Sequence, residues 1–283
     1  MGNIREIPVS WITDEIREMS IKANHFLSDD MEKCLNNAFE TEQSTIGKNI
    51  LGQLKKNLVV AGEEQIPICQ DTGMAVVFLD IGQDVHLTGG DLTEAVNEGV
   101  RLGYQEGYLR KSVVGDPLTR ENTGDNTPAI LHTSIIPGNE VRITLAPKGF
   151  GSENMSAIKM LTPSYGVEGV KSFILDTVRS AGPNPCPPIV VGVGIGGTFE
   201  RAAQLAKKAT FRKIDTKNPD ERYANLEDEL LNEINKMGFG PAGLGGKTCA
   251  LGVNIETSPT HIAGMPVAVN ICCHAARHKS AEI

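Results

Sequence analysis

Val190-Val191-Gly192-Val193-Gly194-Ile195-Gly196-Gly197 is the stretch on which the fold turns. It is an apolar, strand-like run, and a helical pattern over Phe199–Ala209 follows it. Its glycines match G-x-G-x-x-G, and Asp215 stands beyond them near the place of a ribose-binding acid, so a dinucleotide fold is one reading. Against it, Thr210-Phe211-Arg212-Lys213-Ile214 is too polar for the second buried parallel strand of such a fold. A strand and helix packed closely at a glycine turn is the reading we favour.

Outward from that stretch, residues 74–81 are apolar until Asp80 and predict a strand buried on both faces. Residues 14–57 read as helical, with Asp14 as the first cap, Asp29 with Glu32 as a capping-box start and Ser44 opening a third segment. Asp91-Leu92-Thr93-Glu94 starts a further helix, expected to end near Arg110-Lys111. Residues 129–136 and 141–145 flank Pro137-Gly138-Asn139 and predict a hairpin. Helical patterns recur over 154–161, 167–180, 199–209 and 220–237, and short strands over 250–255 and 267–271. With no internal repeat or long polar linker, the expectation is an α/β chain of the α+β type, with mixed sheets packed against helices. Residues 1–283 are read as a single domain, with a mainly helical lead-in over 1–60.

A chain of 283 residues, 40% hydrophobic and 22% charged, can bury a substantial core. Its net charge of −8 argues against nucleic acid or an anionic membrane as the main partner. Met1-Gly2-Asn3-Ile4-Arg5-Glu6-Ile7 lacks the apolar core of a signal peptide, and no apolar run approaches a membrane span. The chain therefore reads as cytoplasmic, where six cysteines are not a disulfide framework and metal binding or catalysis better explains oddly placed ones.

Three are oddly placed: Cys69 in Pro67-Ile68-Cys69-Gln70-Asp71-Thr72-Gly73, Cys186 in Asn184-Pro185-Cys186-Pro187-Pro188, and Cys273 in Ile271-Cys272-Cys273-His274. Proline on both sides of Cys186 fixes φ and removes backbone donors, so the thiol is presented from a rigid, non-ladder segment. Three thiolates on rigid loops suit an iron–sulfur cluster with one iron left open. Cys34 and Cys249 sit in ordinary helix-like and strand-like contexts and read as fillers. A competing scheme sets Cys273, His274 and His278 around zinc, the two histidines sharing one helix face, but it leaves the Cys-Pro-Pro element without a role. Gly245-Gly246-Lys247-Thr248 looks like the end of a phosphate loop and fails as one, because Pro241 stands where that motif needs glycine.

Together these motifs resemble the iron–sulfur hydro-lyases of the class I fumarate hydratase and L-tartrate dehydratase type, in particular their α subunit or N-terminal domain. Further landmarks of the resemblance are Gly149-Phe150-Gly151-Ser152-Glu153-Asn154, Gly192 to Gly197, Gly245-Gly246-Lys247-Thr248 and Cys273-His274-Ala275. The spacing of the three cysteines also resembles that of the shorter, two-subunit members. The resemblance implies that Cys69, Cys186 and Cys273 hold a [4Fe–4S] cluster with one open iron. It implies that the reaction is reversible hydration of fumarate to L-malate, with dehydration of L-tartrate to oxaloacetate as the alternative. By the same resemblance Gln70, Arg110 and Gly151 bind the small dicarboxylate substrate, while Asp71 and His261 take catalytic parts. Asp71 has a second reading as an Asx-turn carboxylate, and Arg110 as a cation at a helix C-terminus. Cys273 is preferred to Cys272 because the family's ligand directly precedes His-Ala. The chain stops soon after the third cysteine, where single-chain members continue into a domain that supplies further arginines, a lysine and a catalytic threonine. A separate β subunit is therefore the expected partner, and an α–α dimer is kept open. The more distant alternatives are a dinucleotide-binding oxidoreductase and a zinc-stabilised interaction domain.

Overall fold

The computed structural model describes residues 4–283, so Met1, Gly2 and Asn3 of the leader argument lie outside the described residues. In chain order the elements are β1 (Arg5–Pro8), α1 (Val9–His25), α2 (Asp29–Thr41), α3 (Thr45–Glu64), β2 (Met74–Gly82), β3 (Val85–Thr88) and α4 (Leu92–Glu106). Next come β4 (Ile130–Ile136), β5 (Val141–Lys148), the single turn α5 (Phe150–Glu153), β6 (Ala157–Leu161) and α6 (Gly166–Ala181). The last are β7 (Ile189–Gly196), α7 (Phe199–Ala209), α8 (Glu221–Asn235), β8 (Ala250–Ser258), β9 (Met265–Cys272) and β10 (Lys279–Glu282). This is an α/β protein with mixed sheets. The chain divides into two compact units. The first holds the segments up to Ser28, Leu58–Gly149 and Arg277–Ile283; the second holds Asp29–Asn57 and Phe150–Ala276.

In the first unit, strands run in the order β10-β5-β2-β4, and β1 pairs separately with β3. The apolar run of β2 makes it a central strand, with Ala75, Val76, Val77 and Leu79 all buried. Ile12, Ile16 and Met19 of α1 share a core with Val96, Val100 and Tyr104 of α4 and with Val77, Leu79, Ile143 and Leu145 of the sheet. α1 starts at Val9 with Pro8 at its N-cap, where a missing N–H costs nothing, so Asp14 lies inside the helix and is not its cap. Asp91 does cap α4, its carboxylate accepting the Glu94 N–H at 2.9 Å. α4 stops at Glu106 with Gly107 as its C-cap, so Arg110 is past the helix and dipole complementarity does not explain it.

The expected hairpin is not formed. β4 and β5 both pair with β2, the first parallel and the second antiparallel, so β2 lies between them. Residues 137–140 cross over the end of β2, where Gly82 donates to the Glu140 carbonyl and Asp84 to that of Gly138. A Cβ on Gly82 would stand 2.5 Å from the Gly138 carbonyl oxygen, so only glycine admits this crossing.

In the second unit the strand order is β6-β9-β7-β8, with β7 parallel to β8 and antiparallel to β9. Ile189, Val191 and Val193 share a core with Val170, Ile174 and Val178 of α6 and with Leu230 and Ile234 of α8. The alternate residues Gly192 and Gly194 meet α7 on the other face. A Cβ there would lie 2.2 Å from the Ala206 carbonyl oxygen and 2.1 Å from that of Ala202. The first two glycines of the motif are thus inside a strand, and an antiparallel neighbour flanks it. The dinucleotide reading falls, and the packing reading holds.

Residues 154–161 are not helical: α5 ends at Glu153, and β6 pairs antiparallel with β9 as an edge strand. Its Ala, Lys, Met and Leu are good helix formers, but pairing with β9 satisfies their backbone and Pro163 follows closely. No helix covers residues 274–278, which removes the shared face on which the zinc scheme relied. The remaining helices and strands stand close to their expected places, α2 at Asp29, α3 behind Ser44 and α8 behind Asp220 included.

Gly194→Ala is expected to lower the unfolding free energy by about 2–4 kcal/mol, because α7 must retreat from the sheet. Urea unfolding measures it, and a midpoint equal to that of the wild type would contradict the close-packing assignment.

Candidate active site

The loop ahead of β2 carries Cys69, Gln70 and Asp71 on its open side, with Cys69 and Asp71 half-buried and Gln70 exposed. Its other side is a buried polar anchor. The Tyr104 hydroxyl lies 2.7 Å from the Thr72 carbonyl and 2.9 Å from that of Gly73. Asn126 Nδ2 donates to the same Gly73 carbonyl at 3.1 Å, and Arg277 Nη2 to the Asp71 carbonyl at 2.7 Å. Burial of Tyr104 pushes its hydroxyl far above the ordinary range, so it stays a protonated donor. Asp71 Oδ1 accepts the Gly73 N–H at 3.0 Å, the bond that the Asx-turn reading of that side chain requires.

Arg110 reaches this loop from beyond α4. Its backbone carbonyl accepts the Thr72 hydroxyl at 2.9 Å, and its exposed guanidinium donates to Gln70 Oε1 at 3.3 Å. Cys69, Gln70, Asp71 and Arg110 are therefore gathered in the first unit.

In the second unit, register places two more of the expected residues together. Val190 of β7 pairs with Cys272 of β9, so the segment entering β7 and the one leaving β9 lie side by side. The Cys186 carbonyl accepts the His274 N–H at 3.4 Å and lies 3.0 Å from His274 Nδ1. Cys186 is exposed and held at φ +56°, a conformation a non-glycine residue adopts only under constraint. Cys272 is the last strand residue and buried, whereas Cys273 is the first beyond it and half-buried. The Gly151 turn lies at this same end. Lys207 and Asn270 both grip the Glu153 carboxylate, and Ser156 Oγ accepts the Ile271 N–H at 3.1 Å.

His261 is elsewhere. It sits in the turn before β9, whereas Cys273 follows β9, and eight strand residues span about 25 Å. Its Nδ1 accepts the Ala263 N–H at 3.2 Å, and the residue is exposed.

All six cysteines are thiols with no disulfide. Burial raises the Cys249 thiol, and burial and Asp30 raise that of Cys34, so neither is a ready thiolate. Among the described residues no three His, Cys, Asp or Glu side chains gather as one metal-binding group. The donor chemistry nonetheless fits a thiolate-held group: Cys69, Cys186 and Cys273 all stand in loops with their thiols outside the cores that hold Cys249 and Cys272.

Gly245-Gly246-Lys247-Thr248 cradles an anion from its own chain. Glu42, nearly fully buried, accepts the N–H groups of Lys247 at 3.2 Å and Thr248 at 2.9 Å, and those of Gln43 and Ser44 as well. Burial alone would raise this carboxyl, but bonds from Thr248 and the backbone outweigh it and hold it at about 2. Sequence reading missed Glu42, Tyr104, Asn126 and Arg277. Only Tyr104, on the apolar stripe of α4, offered any signal.

The comparisons with known proteins follow the same outline. The family model described as "Fumarate hydratase (Fumerase)" matches residues 13–282, and the chain belongs to that family of hydro-lyases. It is 46% identical over 272 residues to a protein of Methanocaldococcus jannaschii named "Putative L(+)-tartrate dehydratase subunit alpha", covering 94% of this chain and 95% of that protein. It is 31% identical over 272 residues to the L(+)-tartrate dehydratase subunit alpha of Escherichia coli K12, covering 95% and 89%. Among the described residues no helix is long and apolar enough to cross a membrane.

Glu42→Gln tests the cradle. The folded carboxyl titrates below its ordinary value, so its contribution is complete above about pH 4.5 and disappears as pH falls through about 2. The variant is expected to be less stable at pH 7 by up to about 3 kcal/mol, with the gap closing between pH 5 and pH 2. A gap that does not change with pH in urea unfolding would refute the assignment.

Proposed function

We propose that this chain is the α subunit of a [4Fe–4S] hydro-lyase acting on a four-carbon dicarboxylate, completed by a β subunit. The observation that carries the reading is the pairing of the Cys186 and Cys273 loops through His274, with both thiols outside the core. Cys69, Cys186 and Cys273 are the proposed ligands. When bound, the cluster's open iron supplies a Lewis acid for the hydroxyl that leaves or adds. Arg110 offers its guanidinium to a substrate carboxylate, and its bond to Gln70 orients that amide as a second contact. Asp71, fixed in the same loop by the Gly73 N–H, is assigned to moving a proton at the substrate hydroxyl. Gly151, exposed and without a side chain, lets the backbone approach the substrate. A reducing, cytoplasmic setting belongs to the same reading, since none of the six thiols is in a disulfide.

Hydration of fumarate to L-malate and dehydration of L-tartrate to oxaloacetate are the two reactions in view. The family model carries the first name, and the two α subunits described above carry the second. Tartrate fits at least as well as fumarate. Anaerobic iron and sulfide analysis, with rates on both substrates measured with and without the β subunit, tests the whole reading. Cys69→Ser, Cys186→Ser and Cys273→Ser are each expected to abolish the brown absorbance of the reconstituted chain, and Cys272→Ser to retain it. A chain that takes up no iron after anaerobic reconstitution would falsify the proposal.

His261 enters on a condition. The length of β9 keeps it from its own chain's Cys273, so a catalytic part requires a second α chain to receive it. Mixed assemblies of His261→Ala with Cys186→Ser chains are then expected to recover roughly a quarter to a half of wild-type turnover, each mutant alone being inactive. No recovery in such mixtures removes His261 from the catalytic set.

A further inference from the structure

The segment between α4 and β4 is rigidly built and yet uncovered. Residues 115–122 are exposed one after another, with Leu118 at the tip 89% exposed, and Tyr108 at the near end 93% exposed. Their backbone is nevertheless tightly specified. Val114 and Asn122 form an antiparallel bridge, Gly115 N–H donates to the Glu121 carbonyl at 2.8 Å, and Thr123 N–H donates to that of Val113 at 2.9 Å. At the tip, Asp116 Oδ1 accepts the N–H groups of Leu118 and Thr119, each at 2.8 Å, and the Arg120 N–H closes the turn onto the Asp116 carbonyl.

The root is equally fixed. Asn122 Nδ2 donates to the Lys111 carbonyl, and Arg101 holds Asp125 at 3.0 Å. Asn126, wholly buried, accepts the Ser112 N–H at 2.7 Å with one end of its amide and grips the Gly73 carbonyl with the other. One side chain thus ties the arm to the loop that carries Cys69 and Asp71.

Ordering a residue costs about 1–2 kcal/mol of backbone entropy, and within this chain the arm recovers little of that by apolar burial. A preformed loop that holds out a leucine is suited to binding, because the ordering cost is already met before the partner arrives. Arg110, Lys111 and Arg120 are interspersed with Asp116 and Glu121, so the arm is neither a basic patch for nucleic acid nor one for an anionic membrane. An apolar centre with a rim of mixed charge is the anatomy of a protein–protein contact. Its root begins at Arg110, the residue bonded to Gln70.

We propose that residues 108–122, with Leu118 and Tyr108 as apolar anchors, form the arm on which the β-type subunit docks, bringing that subunit's side chains beside Arg110 and Gln70. This rests on the two-subunit reading given above.

The test uses the full chain, cluster reconstituted, with its cognate β subunit, read by light scattering and titration calorimetry. Leu118→Asp and Tyr108→Asp are each expected to weaken the complex tenfold or more. Their brown absorbance and unfolding midpoint should match the wild type. Val59→Asp, at another exposed apolar position, should leave the affinity unchanged. Full affinity in both arm variants overturns the arm while leaving the two-subunit reading in place. Loss of an α–α dimer with β binding intact overturns it in favour of a second copy as occupant. Failure of the wild-type chains to associate overturns the two-subunit reading and the arm with it.

Discussion

The carbonyls of Thr72 and Gly73 set the constraint on which the first unit depends. They sit where an open loop turns into a strand buried on both faces, and no ladder bond reaches them. Leaving such a group unpaired costs about 1–3 kcal/mol, so donors must be brought to it. Tyr104 comes from α4, Asn126 from the segment before β4, and Arg277, on the neighbouring Asp71 carbonyl, from near the C-terminus. Three remote parts of the sequence converge on three consecutive residues. The far side of that loop, carrying Cys69, Gln70 and Asp71, is rigid as a consequence. A reactive loop can be open to solvent and still precise when its backbone is fastened from behind.

The second unit reaches the same end through a sheet. Glycines thin one face of β7 so that the backbone of α7 lies against it, while the valines of the other face fill the core between α6 and α8. With β7 locked between two layers, the antiparallel register with β9 decides which loops are neighbours. The Cys186 and Cys273 loops are neighbours because Val190 faces Cys272, and the strand end separates the two adjacent cysteines by burial. Cys272 completes the ladder and faces inward; Cys273 is released from it.

Much of this was legible in the sequence, for reasons that differ residue by residue. β2, α7 and α8 carry their own periodicity, and Asp91, Ser44 and Asp220 their own caps, so local reading suffices. The hairpin failed because β2, remote in sequence, inserts between β4 and β5, which no turn signal records. Residues 154–161 failed because β9 overrode their helical preference. The end of α4 was misplaced by four residues, and that error gave Arg110 a spurious structural explanation. The thiols, Gln70, Asp71 and Gly151 stood out through unusual local motifs. Tyr104, Asn126 and Arg277 did not, because a residue that fastens a distant carbonyl looks ordinary in its own stretch of chain.

His261 marks the limit of resemblance as an argument. A motif can transfer a residue's identity from relatives to this chain, but it does not say which copy of the chain that residue serves. Only the strand between His261 and Cys273 says that, and its length is fixed by the rise of an extended backbone, which no side-chain rearrangement shortens. A histidine at the opposite end of β9 from Cys273 is either an ordinary turn residue or part of a site assembled from several chains. The same physical distinction applies to the arm at Leu118. In both places an exposed turn is held in a fixed backbone conformation, and a contact made there would meet little further ordering cost.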